Sequence, residues 1–235
     1  FLRRRLNSIF NQTFEDFEVI LLDDASSDNS RLILETYANA PRVAYFESNS
    51  TNSGSPFKQW AKGLSLCRGE FIWIAETDDW ASPFFLEKTF SQIDSDTSIG
   101  LVTQNSYIVD DRDRIYERTN YRFNTSPTDE DSKMTRYSGK EFLVDNMLYN
   151  SGIYNASGVL FRRKLTANFP ELARFKQAGD SFFWCHLLSQ SDIVFLKGAY
   201  NYFRRHDHST TFQNYRSSFI PVTEMYDRIR TFGDR

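Results

Sequence analysis

The chain has 235 residues, 40% of them apolar, and a formal net charge of −3. It can bury a sizeable core, and so balanced a charge excludes a nucleic-acid binder that relies on a broad basic field. The two cysteines, Cys67 and Cys185, lie far apart, which leaves no disulfide framework or cysteine metal cluster, and no apolar run approaches the roughly 20 residues of a membrane helix.

The chain opens on FLRRRLNSIF without an initiator Met, and Leu2, Leu6, Ile9 and Phe10 share one helical face. It reads as the interior of a helix, so a strand ahead of it is expected outside this sequence. Phe17 to Leu22 (FEVILL) predicts a buried strand that ends in Asp23 and Asp24. Ser26, Ser27 and Asp28 supply N-cap chemistry for a helix that buries Leu32, Ile33 and Tyr37. Arg42 to Phe46 predicts a third short strand. Asn49 to Ser55 (NSTNSGS) is a turn-forming loop, and Phe57 to Leu66 a helix with Phe57, Trp60, Ala61 and Leu64 inward.

Gly69 to Trp80 (GEFIWIAETDDW) is the central stretch. Its apolar run from Phe71 to Ala75 predicts a strand buried on both faces, ending in Glu76, Asp78 and Asp79. Ser82 and Pro83 are placed as N-cap and first turn of the next helix, and Ile99 to Val109 as a strand. Strand, acidic turn and helix alternate, the pattern of an α/β fold with a mainly parallel central sheet flanked by helices.

The second half is less regular. Asp110 to Arg136 is polar and long for a loop. Ser138 to Glu141 is a capping box opening a helix through Met147, and Gly158 to Phe161 a short strand. Gly179 and Asp180 precede an apolar helix, Ser181 to Leu188. Ile193 to Leu196 and Tyr200 to Phe203 read as an antiparallel pair around Lys197 and Gly198. His206-Asp207-His208-Ser209 follows, and Ser217 to Phe232 predicts a terminal amphipathic helix. With no fixed repeat and no low-complexity linker, the expectation is one domain over 1–235, divided at 1–109 and 110–235.

Three constellations carry chemistry. Asp23 and Asp24, with Glu76, Asp78 and Asp79, stand at the ends of two strands, where open α/β sheets bind ligands. Such hard oxygen ligands suit Mg²⁺ or Mn²⁺ and a diphosphate. Asp180 opens a helix, either as an acid favoured by the macrodipole or as a general base. His206 and His208 flank an Asp, a setting for an imidazole on a metal or phosphate. There is no HExxH, G-x-S-x-G, G-x-G-x-x-G or Walker loop.

FEVILLDDASSDNS, followed by RGEFIWIAETDDW, resembles the nucleotide-sugar-binding half of family 2 glycosyltransferases with the GT-A fold. The likeness covers Phe1 to Phe90 closely and the GD and RRHDHS segments more loosely. It implies that Asp24, with Asp23 beside it, contacts the nucleobase and ribose. Glu76-Thr77-Asp78 is similar to the family's D-x-D, with Asp78 as main metal ligand and Asp79 supporting the turn. Asp180 matches the base of inverting members, and His206 falls in a segment like the R-x-H motif near the diphosphate, as a further ligand. Lys58 or Lys62 faces the phosphates where the family often carries an Ala-Arg-Asn segment. The family's first strand is absent here, Glu76 replaces an Asp, and Gly179 stands where an acid commonly precedes the catalytic one.

The resemblance implies a metal-dependent, inverting transfer of a sugar from a nucleotide-diphosphate donor, UDP-linked, to a saccharide or lipid-linked hydroxyl acceptor. The 110–235 half would bind that acceptor, its side shaped by Asp110 to Arg136 and the stretch around Tyr154 to Ser157. A nucleotidyltransferase of the same fold and a non-catalytic nucleotide- or carbohydrate-binding module are the alternatives. The cysteine usage fits a cytoplasmic place, and the arginines at Arg3, Arg4, Arg5 and from Arg228 to Arg235 are candidates for peripheral contact with an anionic inner membrane face.

Overall fold

The computed structural model describes residues 1–119, 134–167, 169, 172–206 and 227–233. Helix α1 (Leu2–Phe10) turns Leu2, Leu6 and Ile9 inward, onto Val19 and Leu21 of β1 (Val19–Asp23) and Leu34 of α2 (Ser30–Tyr37). Strand β1 pairs in parallel with β2 (Val43–Ser48). Helix α3 (Pro56–Leu66) starts where Ser55 Oγ accepts from Phe57 N at 3.2 Å, with Pro56 in the first turn, where its missing N–H costs nothing. The sequence then gives β3 (Phe71–Trp73), β4 (Trp80–Ala81), α4 (Phe85–Ile93) and β5 (Ile99–Val109).

The second half contributes β6 (Ile115–Arg118), β7 (Met134–Tyr137), α5 (Gly139–Phe142), β8 (Leu160–Arg162), α6 (Gly179–Leu188) and β9 (Asp192–Arg204). Five strands lie in the order β3-β8-β5-β9-β4, with β6 on β5 and β7 on β9. The α/β class stands, but the sheet is mixed rather than mainly parallel. Only β1 with β2 and β5 with β9 run parallel among the described strands; β8 inserts antiparallel between β3 and β5.

Several expected elements differ in extent. The central strand pairs only over Phe71–Trp73, and its chain leaves the ladder before Ile74. Asn29, not the Ser26–Asp28 triplet, caps α2, while Asp28 Oδ1 accepts from Ser30 N at 2.9 Å. Pro83 precedes α4 rather than sitting in its first turn. The helix after Ser138 continues as a π-helical turn over Leu143–Met147, and Ser138 makes no side-chain cap. Residues 193–203 do not form a hairpin. They are one strand, β9, parallel to the eleven-residue β5. Lys197 and Gly198 fall where the register slips between Gln104 and Asn105, so a turn signal is absorbed as a bulge. Residues 227–232 are helical, whereas 217–226, His208 and 120–133 lie outside the described residues.

Helix α6 is apolar nearly all round and correspondingly buried: Phe182, Phe183, Trp184, Cys185, Leu187 and Leu188 are all core. Phe161 of β8 meets Phe183 and Trp184 edge-on at 5.3 and 5.6 Å between ring centroids. Gly179 is required here. A Cβ would stand 2.8 Å from the Phe57 ring, so only glycine lets the first turn of α6 touch α3. Phe161→Ala is expected to cost about 3–5 kcal/mol in urea unfolding, because it opens a cavity between two rigid rings.

Candidate active site

The acid turn after β3 is held from four sides. From α3, Trp60 Nε1 donates to Glu76 Oε1 at 3.1 Å. From the turn before β8, Ser157 Oγ accepts from Glu76 N at 3.0 Å, and Asn155 Nδ2 donates to Asp79 Oδ2 at 3.1 Å. From the end of β9, Arg204 N donates to Asp79 Oδ1 and Arg204 Nε to Asp78 O, both at 2.9 Å. From just beyond β9, His206 Nε2 lies 3.2 Å from Asp78 Oδ2. Arg204 is itself fully enclosed, between Phe1 and Trp80, and bonds Asp110 O and Asp113.

The second acid pair closes β1. Asp23 is buried and accepts from Ser48 Oγ at 2.6 Å. Asp24 accepts from Asn49 Nδ2 (2.7 Å), Ser53 Oγ (2.7 Å), Ser53 N (3.0 Å) and Gln59 Nε2 (2.8 Å). Gln59 and Trp60 are consecutive residues of α3, so one helix bonds to both acid groups. Burial pushes the Asp24 carboxyl up, but the hydrogen bonds from Ser53, Asn49 and Gln59 outweigh it and hold it below its ordinary value.

Glu76 behaves oppositely. Burial first, then the charges of Asp78 and Asp79, push it up to about 7; burial and Asp78 also raise Asp79. Asp180 lies in the first turn of α6, its Oδ1 accepting from Ser181 N at 2.7 Å. Its helix meets the acid turn through Trp60, whose ring lies 6.0 Å from Phe183 and 6.2 Å from Trp184. Lys58 Nζ donates to Ser53 O at 2.9 Å, and Lys62 Nζ to Glu47 at 2.5 Å and Asn49 at 3.1 Å. Both lysines therefore brace the loop around Asp24.

Among the described residues no group of three or more His, Cys, Asp or Glu side chains is disposed to hold a metal. Asp78 and His206 do present two donor atoms side by side. A Mg²⁺ or Mn²⁺ bound mainly through phosphates and water needs only one or two protein ligands, and this pair fits that role. The sequence reading missed Gln59, Trp60 and Arg204, and it put the stretch around Tyr154 to Ser157 on the acceptor side, whereas Asn155 and Ser157 hold the acid turn. Arg204 had a signal, since it opens the R-x-H segment; the others emerge only from folding. Two arginines read as surface groups are interior, Arg5 at 1% and Arg228 at 6% exposure. No described helix is long and apolar enough to cross a membrane.

The family model for glycosyl transferase family 2 matches residues 1–167. The chain belongs to that family. Chondroitin synthase of Escherichia coli is 32% identical over 111 residues, which is 47% of this chain and 16% of that protein. The chain thus spans a small part of that relative. Residues 1–349 of TarS from Staphylococcus aureus, solved in complex with UDP-GlcNAc, are similar with a TM-score of 0.71 at 21% identity, covering 99% of this chain and 61% of that fragment. A mannosyltransferase from Pyrobaculum calidifontis, solved with GDP-Man and Mn²⁺, has a TM-score of 0.58 at 14% identity, covering 96% of this chain and 64% of that one. These likenesses establish a GT-A-type α/β fold.

A raised carboxyl favours the folded state only while it is protonated. Its contribution is complete below the ordinary value of 4.5 and lost as pH rises to about 7. Glu76→Gln keeps an acceptor for Trp60 and cannot ionise. Relative to wild type the ligand-free variant should gain melting temperature steadily between those pH values. A wild-type-minus-variant difference independent of pH would contradict the assignment.

Proposed function

We propose that this chain carries the donor-binding and catalytic parts of an inverting glycosyltransferase, in polysaccharide or glycolipid synthesis. Its donor is a nucleoside-diphosphate sugar, UDP-linked, and its acceptor a saccharide or lipid-linked hydroxyl. Family membership supports the reaction class, and the donor reading draws on TarS with UDP-GlcNAc. The observation that supports the reading is the pair of bonds from consecutive residues of α3, Gln59 to Asp24 and Trp60 to Glu76.

In this reading Asp24, braced by Ser53 and Asn49 and kept ionised, receives donors from the base or ribose. Asp23 is its buried support. Lys58 adds positive charge beside the diphosphate, and Lys62 holds the loop. Glu76 and Asp78 face the sugar-diphosphate, and Asp78 and His206 would hold Mg²⁺ or Mn²⁺. Such an ion, when bound, offsets the charge of the leaving diphosphate. Asp180 takes the proton of the acceptor hydroxyl as that oxygen attacks the anomeric carbon from the face opposite the departing diphosphate, which inverts the centre. Residues 1–109 supply most of the donor side and 110–235 the acceptor side, although Asn155, Ser157, Arg204 and His206 return to the acid turn.

Asp180→Asn is expected to lower sugar transfer by about 10²–10⁴-fold with UDP-sugar affinity retained. Full turnover in that variant removes Asp180 from the reaction. Asp24→Asn should instead weaken UDP binding about tenfold or more, since it loses charge-assisted bonds. Donor titration with and without Mn²⁺, followed by nucleotide release over time, separates transferase from binding module: uptake with no release in the presence of acceptor favours the module.

A further inference from the structure

Arg5 is the anomaly of the site. It is 1% exposed, yet none of its three guanidinium nitrogens has a hydrogen-bond partner among the described residues. An isolated buried charge is costly, so something must compensate it. Its guanidinium lies over the Trp73 ring, 4.7 Å from the centroid. Trp73 is itself fixed, its Nε1 donating to Ser157 O at 2.7 Å and its ring stacking on Phe85 at 4.4 Å. The charges that act on Arg5 are Asp79, Glu76 and Asp78, in that order; burial lowers Arg5 to about 10, which still leaves it protonated at neutral pH. Arg204, the other enclosed arginine nearby, is already paired with Asp113. Arg5 therefore supplies a buried positive charge, without a hydrogen-bonded counter-ion among the described residues, that acts on the acid turn.

We propose that Arg5 is a built-in cation of the acid turn, which lets a divalent metal ion bind at Asp78 only together with the diphosphate. This rests on the metal-assisted reading above and deepens it. Asp78, with Asp79 and Glu76 beside it, would by itself attract a divalent ion. With a fixed cation behind them that attraction falls, and the negative charge of the incoming diphosphate restores it. Arg5 is thus a positioning and specificity residue rather than a catalytic one. The coupling is reciprocal: whatever factor UDP adds to metal affinity, the metal adds to UDP affinity.

The test is Mn²⁺ binding to the full chain, alone and with saturating UDP, for wild type, Arg5→Met, Arg5→Gln and Arg5→Lys. Met has a stem of similar length and suits contact with Trp73, and Gln is a second neutral choice should Met fail to fold. Wild type and Arg5→Lys should bind Mn²⁺ at least about tenfold more tightly with UDP than without. The neutral variants should bind Mn²⁺ alone about tenfold more tightly than wild type, with a smaller UDP enhancement. A folded neutral variant with the wild-type affinities overturns the role of Arg5. If wild type takes up Mn²⁺ neither alone nor with UDP, the metal-assisted reading itself falls, and this inference with it.

Discussion

Ionised carboxylates cannot be taken out of water without partners, and that constraint organises this molecule. Asp23 and Asp79 are almost wholly enclosed, and Asp24, Glu76 and Asp78 partly so. Each is met by polar groups from elements distant in the chain: Ser48 from β2 and Ser53 from the loop after it, Gln59 and Trp60 from α3, Asn155 from the turn before β8, Arg204 from the end of β9, and His206, beside Asp78, from just beyond it. The packing of α6 on α3 serves the same end. Gly179 has no side chain, so Phe57 can seat there and Trp60 can reach Glu76 while lying against Phe183 and Trp184.

Much of this was legible before folding, and for a physical reason. Buried strands and the acids that end them are local patterns. FEVILLDD and GEFIWIAETDDW each carry both, so the acid groups and the α/β class follow from them. The glycine before Asp180 was legible only as a departure from the family pattern; the structure gives its cause in the Phe57 ring. Long-range donors leave no such trace. Nothing in the neighbourhood of Asn155 or Ser157 foretells that they will serve Asp79 and Glu76, since those partners lie 76 and 81 residues away.

The misread elements share one source. Sequence patterns record which residues want burial but not which neighbour supplies it. The run from Phe71 to Ala75 is apolar enough for a long central strand, yet β8 pairs with only three residues of it. Lys197 and Gly198 look like a turn between two apolar runs, and a bulge against β5 uses the same residues. Arg5 and Arg228 look solvated because arginine usually is, whereas one is buried over the Trp73 ring and the other donates to Leu148 O.

The single long strand β9 has a further consequence for how this chain tolerates insertions. Its residues alternate between the two faces of the sheet, and its final residue, Arg204, must face the acid turn. One residue gained or lost between Ile193 and Phe203 would reverse the parity of everything downstream, turning Arg204 and His206 away unless the existing bulge took up the slip. Gly198 offers such a slack point, so length variation in this strand should be tolerated there and scarcely anywhere else along it.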